Sequence, residues 1–158
     1  MLVCTVVLSN MSASGNSVFL NNAVITNNVY GGQSTAARSG GLLNNNSITI
    51  TGGSVGGHVY GARTAATGAL MQGNSVVINS GQYAGSIYGA YGEGTIEGSK
   101  VTINGGQFSQ NIFGGYIADE GDVTQSYITI NGGHIQGDIY GGYGPSAGMI
   151  SGHTITIS

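Results

Sequence analysis

Three tyrosines, Tyr91, Tyr116 and Tyr143, recur at nearly regular spacing. A tyrosine offers an apolar ring and a hydroxyl, a combination suited to a sugar or to a protein surface. An exposed row of them reads as a binding surface for a host or matrix protein or a glycan. The same row also reads as a clasp over a corner of the chain. A second aromatic series, Tyr30, Tyr60, Tyr88, Phe113 and Tyr140, precedes it. Phe113 dispenses with the hydroxyl, so this series is read as a structural stack.

Other reactive side chains are sparse. Only 6% of the residues are charged, and the formal net charge is −3. The acidic residues are Glu93, Glu97, Asp119, Glu120, Asp122 and Asp138. Glu93 and Asp119 fall in corresponding segments of neighbouring repeats, but a glycosidase pair also needs a defined separation and a cleft. No sequence feature supplies either, so no catalytic residue is assigned and the chain is not expected to be an enzyme. Asp119-Glu120-Gly121-Asp122 is read as a solvated loop. His58, His134 and His153 occupy three different repeat positions, so they form no metal ladder and are read as polar surface residues. No metal and no cofactor is expected. Arg38, Arg63 and Lys100 are the only Lys and Arg residues. They make no basic footprint, so nucleic acid is excluded as a partner. Cys4 is the single cysteine; it has no intrachain partner and is read as a buried inert thiol. No run of 18 apolar residues exists, so no transmembrane segment is expected.

These residues are positioned by an internal repeat. SYITINGGHIQGDIYGGY (Ser126–Tyr143) is written earlier as SKVTINGGQFSQNIFGGY (Ser99–Tyr116), NSVVINSGQYAGSIYGAY (Asn74–Tyr91) and NSITITGGSVGGHVYGA (Asn46–Ala62). Looser copies begin at Asn16 and His153. Alternate residues of a strand face opposite ways. Val18, Ile48, Val76, Val101, Ile128 and Ile155 therefore form one inward column. Leu20, Ile50, Ile78, Ile103, Ile130 and Ile157 form the next. The residues between them, including Thr102 and Thr129, should face solvent. A corner follows at Asn or Thr and Gly. Val24, Val55, Tyr83, Phe108 and Ile135 then make a second apolar column, and Val29, Val59, Ile87, Ile112 and Ile139 a third. Leu43, Leu70, Ile96, Val123 and Ile150 line a return arm. The segments leading into that arm, Gln33–Gly41, Arg63–Gly68 and Ile117–Gly121, vary and are read as surface loops.

No segment carries helical periodicity. A short repeat that cannot bury its apolar face alone buries it by stacking. The expected fold is all-β: one parallel β-solenoid of about five coils of 25–30 residues, right-handed by analogy with parallel crossovers. Residues 1–15 are read as an N-terminal strand and partial cap, with Leu2–Leu8 as the strand. Residues 16–158 are read as the solenoid repeats.

The pattern N-x-[VI]-T-I-x-G-G-x-[IV]-x-G-x-[IV]-Y-G-G-Y resembles repeats in the passenger domains of bacterial autotransporter adhesins, over Asn46–Ser158 and more loosely over Asn16–Gly32. That resemblance implies a secreted, extracellular β-helix displayed on the bacterial cell surface. GDIYGG (Gly137–Gly142) also resembles one turn of the calcium-binding nonapeptide repeats. Those require an Asp in every turn, whereas this column reads Asn28, His58, Ser86, Asn111, Asp138, which excludes calcium there. Four functions are weighed. The first is a non-catalytic structural or adhesive surface segment. The second is a filament subunit self-associating through the C-terminal coil, whose first corner lacks a following cap. The third is a carbohydrate-binding or carbohydrate-active β-helix. An ice-binding Thr array ranks last, because Phe19, Val77, Lys100 and Tyr127 interrupt it.

Overall fold

The computed structural model describes Thr5–Leu8 as backbone, and residues 12–35 and 40–158 in full. Leu2, Cys4 and Arg38 lie outside the described residues, so the readings made of them are not addressed. Every described strand pairs in parallel, and among the described residues there is no helix. The first face has six strands: Ser17–Leu20, Ser47–Ile50, Ser75–Ile78, Lys100–Ile103, Tyr127–Ile130 and Thr154–Ile157. The second has five short ones: Ala23–Ile25, Gly53–Val55, Gln82–Tyr83, Gln107–Phe108 and His134–Ile135. The third is a nine-stranded sheet. Its main path runs through Thr5–Leu8, Val29–Ser34, Val59–Thr64, Ile87–Glu97, Ile112–Thr124 and Ile139–Tyr143. The return arms Leu42–Asn44, Ala69–Gln72 and Ile150–Ser151 join the same sheet. The chain is a parallel β-solenoid of about five coils.

Register follows the sequence columns on the first face. Val76 lies opposite Ile48 and Val101, and Ile78 opposite Ile50 and Ile103. Ile48, Ile50, Val101, Ile103, Ile128 and Ile130 are buried as expected. Thr102 and Thr129 point outward but are half-buried rather than exposed, because the rungs on either side shield them. Ile135 and Ile139, expected to be buried, are also half-buried, since they lie on the last described rungs of their faces.

Two columns need correction. Ile25, not Val24, pairs with Val55 and enters the core, and Val24 is 66% exposed. The Asn21-Asn22 corner is as long as Thr51-Gly52, with Asn22 taking the positive φ (47°). Counting one residue short of that corner moves the side chain to the other face. In the return arm, Met71 rather than Leu70 stacks between Leu43 and Ile96 and is fully buried. Of the three expected surface loops, Ile117–Gly121 is strand throughout, whereas Arg63–Gly68 leaves the sheet after Thr64. Ile87–Glu97 and Ile112–Thr124 run continuously, with one irregularity after Gly92. Ile117 on this stretch is fully buried.

The interior has two compartments. The larger lies between the three faces and includes Tyr83 stacked on Phe108, ring centres 4.8 Å apart. The smaller lies under the return arms and contains Leu43, Ala62, Met71, Ala90, Ile96, Ile117 and Val123. Between them runs a polar ladder that the sequence columns left unassigned: Asn16, Asn46, Asn74, Ser99, Ser126, His153. Asn46 Nδ2 donates to Asn74 Oδ1 (2.9 Å) and to the Ala13 carbonyl (2.8 Å). Asn16 Nδ2 donates to Asn46 Oδ1 (2.8 Å), and Asn74 Nδ2 to the Leu43 carbonyl (2.6 Å). Buried amides of this kind must be bonded or they destabilise the core. The signal in the sequence is one polar residue directly ahead of each first-face strand.

The core columns set an expected outcome. Ile103→Ala should cost about 2–5 kcal/mol in chemical denaturation, because it opens a cavity between two tightly packed rungs. Thr102→Ala, one residue away on the outer side, should cost less than about 1 kcal/mol. Equal losses would show that the facing of this strand is wrong.

Candidate functional site: the double tyrosine face

Five of the third-face strands, those beginning at Val29, Val59, Ile87, Ile112 and Ile139, carry the same local sequence: an inward Val or Ile, an outward aromatic, two small residues, and a further side chain on the aromatic's side. In the second coil these are Val59, Tyr60, Gly61-Ala62 and Arg63; in the third, Ile87, Tyr88, Gly89-Ala90 and Tyr91. The two small residues are buried where the chain crosses the wall between the compartments. They have to be small. A Cβ on Gly61 would overlap the carbonyl oxygen of Gly89, and one on Gly89 the carbonyl oxygen of Gly114. With both central residues turned inward, the flanking side chains emerge side by side on the outer surface. This is how residues three apart come to touch.

The inner column is a continuous stack. Tyr30–Tyr60, Tyr60–Tyr88, Tyr88–Phe113 and Phe113–Tyr140 have ring centres 5.2, 4.9, 5.0 and 5.0 Å apart, within 8° of parallel. Tyr60, Tyr88 and Phe113 are buried. Burial, reinforced by the neighbouring Tyr88, holds the Tyr60 hydroxyl far above its ordinary range, against a smaller lowering by Arg63. Tyr88 is raised as well, again mainly by burial.

The outer column covers the inner one edge to face: Tyr88–Tyr91 at 5.2 Å and 78°, Phe113–Tyr116 at 5.1 Å and 88°. Tyr91 and Tyr116 are half-buried, and Tyr143 is exposed. The structure brings Tyr91, Tyr116 and Tyr143 together, but not as a platform. Tyr91 and Tyr116 stack on each other at 5.0 Å and 15°, and Tyr116 and Tyr143 meet at 5.1 Å with a 31° tilt. The faces of Tyr116 are therefore spent on its neighbours. What the column offers along its length is a line of ring edges and hydroxyls at the rung spacing. Burial and the two neighbouring phenols raise the Tyr116 hydroxyl above its ordinary value, so it remains a donor through neutral pH. Where Tyr143 tilts away, a cleft of about 260 Å³ opens between the columns, lined by Tyr88, Phe113, Tyr116, Tyr140, Tyr143, Ser86 and Asn111. At its edge the Tyr140 hydroxyl donates to Asp138 Oδ2 (3.1 Å), which is the main cause of its raised pKa.

Histidines assigned to the surface prove to be part of the frame. His58 Nδ1 accepts the Ser86 N–H (2.9 Å), and its ring contacts Tyr60 and Tyr88, each at 5.8 Å. His153 Nδ1 accepts the Ser126 N–H (3.1 Å), and its ring fills the space left by Gly141 and Gly142. His134 alone of the three is exposed. Glu93 lies across from the segment 118–120 of the adjoining strand, which carries Asp119 and Glu120. Asp119 and Glu120 are exposed, and Asp122 Oδ1 accepts the Met149 N–H (2.8 Å). Among the described residues no group of three or more His, Cys, Asp and Glu is placed to hold a metal ion. No helix in them is long and apolar enough to cross a membrane.

Compared with known proteins, the chain matches no family model, no curated protein and no solved structure.

The two contacts of His153 give a pH dependence. Burial lowers its pKa below the ordinary 6.5, outweighing the opposite pull of the Val123 carbonyl. Nε2 is buried without a bonded partner among the described residues. The unfolded chain therefore takes up the proton first as pH falls. The His153 contribution is complete above about pH 6.5 and is lost progressively below it. The melting temperature should drop between pH 7 and pH 5.5. His153→Asn, which restores the residue type of Asn46 and Asn74 in the same column, should flatten the drop; an unaltered pH profile would refute the assignment.

Proposed function

We propose that this chain is a non-catalytic adhesive segment of a cell-surface β-solenoid, of the kind carried by autotransporter passenger domains, and that it holds a glycan along the outer tyrosine column. The observation that carries the reading is the line of Tyr91, Tyr116 and Tyr143, set at 5.0 and 5.1 Å by the ladder beneath it. Side chains held this rigidly have surrendered their rotamer freedom to folding, so a ligand does not have to order them. A polyhydroxylated chain laid along the axis meets a donor or acceptor at every rung. The extracellular location is supported by the repeat pattern that resembles those passengers.

Tyr116→Phe tests this without disturbing the stack, since it removes the hydroxyl alone. It should weaken glycan binding several-fold, the effect of one hydrogen bond, at an unchanged melting temperature. Tyr116→Ala should lower both binding and melting temperature, because the ring also covers Tyr88 and Phe113 (5.8 and 5.1 Å). Full retention of glycan by Tyr116→Phe would count against the column as the binding line.

A second reading, end-to-end stacking, rests on a different observation. Ile150, Ile155 and Ile157 are 45%, 43% and 66% exposed on the last described rungs. A coil laid on this end, from the same polypeptide or from another copy, would cover them and pair with the free edge of Thr154–Ile157. Replacing Ile155 and Ile157 with Lys should lower any concentration-dependent association measured by sedimentation. Association of the same strength in that variant would exclude this edge as the contact.

A further inference from the structure

The outer column is not tyrosine throughout. Arg63 lies opposite Tyr91 in the register, so the line reads Arg63, Tyr91, Tyr116, Tyr143 along the axis. Its guanidinium carbon is 5.6 Å from the centre of the Tyr60 ring and 5.8 Å from that of Tyr91. Both distances fall within the range of a cation–π contact. The two rings hold the guanidinium in place without neutralising it. Arg63 has no carboxylate partner among the described residues, and its Nε is buried with no hydrogen-bond partner. Gln33, the residue opposite it on the other side, is buried and uncharged. Lys100, the other described basic side chain, lies on the first face. Of the carboxylates nearest in register, Glu93 stands two residues beyond Tyr91 on the same strand and so on the same side, without pairing with Arg63, and Asp138 is near the far end of the column, bonded to Tyr140. Along this line the groups on offer are thus one planar cation followed by phenols that can donate.

We infer that the ligand of the tyrosine column is an acidic glycan, and that Arg63 pairs with its carboxylate or sulfate while the phenols bind the sugar hydroxyls. This rests on the glycan reading above and adds the ligand's charge and the residue that recognises it. Arginine suits the role because its planar fork pairs bidentately with an oxyanion while its face stays on an aromatic ring. A purely neutral ligand would leave this cation unused.

Calorimetric titration with three oligosaccharides of equal length tests the inference: one of alternating glucuronate and N-acetylglucosamine, one sulfated galactosaminoglycan, and one neutral chain of N-acetylglucosamine. The intact chain should bind at least one acidic probe about tenfold more tightly than the neutral one, as one charge-assisted contact gives. Preference for only one acidic probe would tell carboxylate from sulfate. Arg63→Gln should reduce the acidic probe to the neutral level and leave the neutral probe unchanged. Arg63→Lys keeps the charge but loses the fork, so it should retain part of the preference. That variant also decides the matter should Arg63→Gln fail to fold. Equal affinity for all three probes in the intact chain, or a preference that survives Arg63→Gln, overturns the inference. Failure of the underlying reading looks different: Tyr116→Phe then leaves every probe unaffected. Absence of binding by any probe at millimolar concentration overturns both.

Discussion

The interaction on which everything else depends is the parallel backbone ladder between successive coils. It fixes the rise from rung to rung at about 4.8 Å. Every column inherits that spacing. It suits isoleucine on isoleucine, amide on amide and ring on ring; the inner aromatic column matches it with centres 4.9 to 5.2 Å apart. The ladder also imposes an exclusion. Where the chain turns between the two compartments, carbonyl oxygens of the adjoining coil occupy the place a side chain would take, so Gly31, Gly61, Gly89 and Gly114 cannot carry a Cβ without displacing them.

The polar ladder answers a problem the apolar columns create. A narrow solenoid with two cores must pass backbone between them, and the N–H and C=O groups there are out of reach of water. Asn46 and Asn74 bond both to each other and to the carbonyls of Ala13 and Leu43. Ser99 and Ser126 are shorter, and their hydroxyls reach no partner among the described residues. The amide ladder is therefore complete in the early coils and thins toward the later ones, where His153 takes the position with a ring that accepts one backbone N–H.

Much of this was legible because the period is short and the alternation strict. The first-face columns, the inner stack and the parallel architecture follow from aligning Ile50, Ile78, Ile103 and Ile130. The errors arose where two apolar residues stand side by side, at Val24-Ile25 and Leu70-Met71, since periodicity alone does not choose between neighbours. Outer tyrosines were recognisable as a row, but not the direction of their rings. A ring at one position looks the same in sequence whether its face or its edge meets solvent; only the identity of the neighbour above and below decides that. Arg63 went unassigned because it replaces a tyrosine in its column. In the sequence it reads as a break in the series, and in the fold it stands in line with the tyrosines.

The pairing of Ile87–Glu97 with Ile112–Thr124 has a consequence for the order in which the molecule assembles. Each coil hydrogen-bonds to residues one full turn away in the chain, so no coil is stable before a neighbour is in place. Closing the first such loop is the entropic obstacle. These two strands, 11 and 13 residues long, form the longest continuous ladder in the structure. A pair of coils joined there offers a finished template on both sides, to which shorter rungs can add outward in either direction.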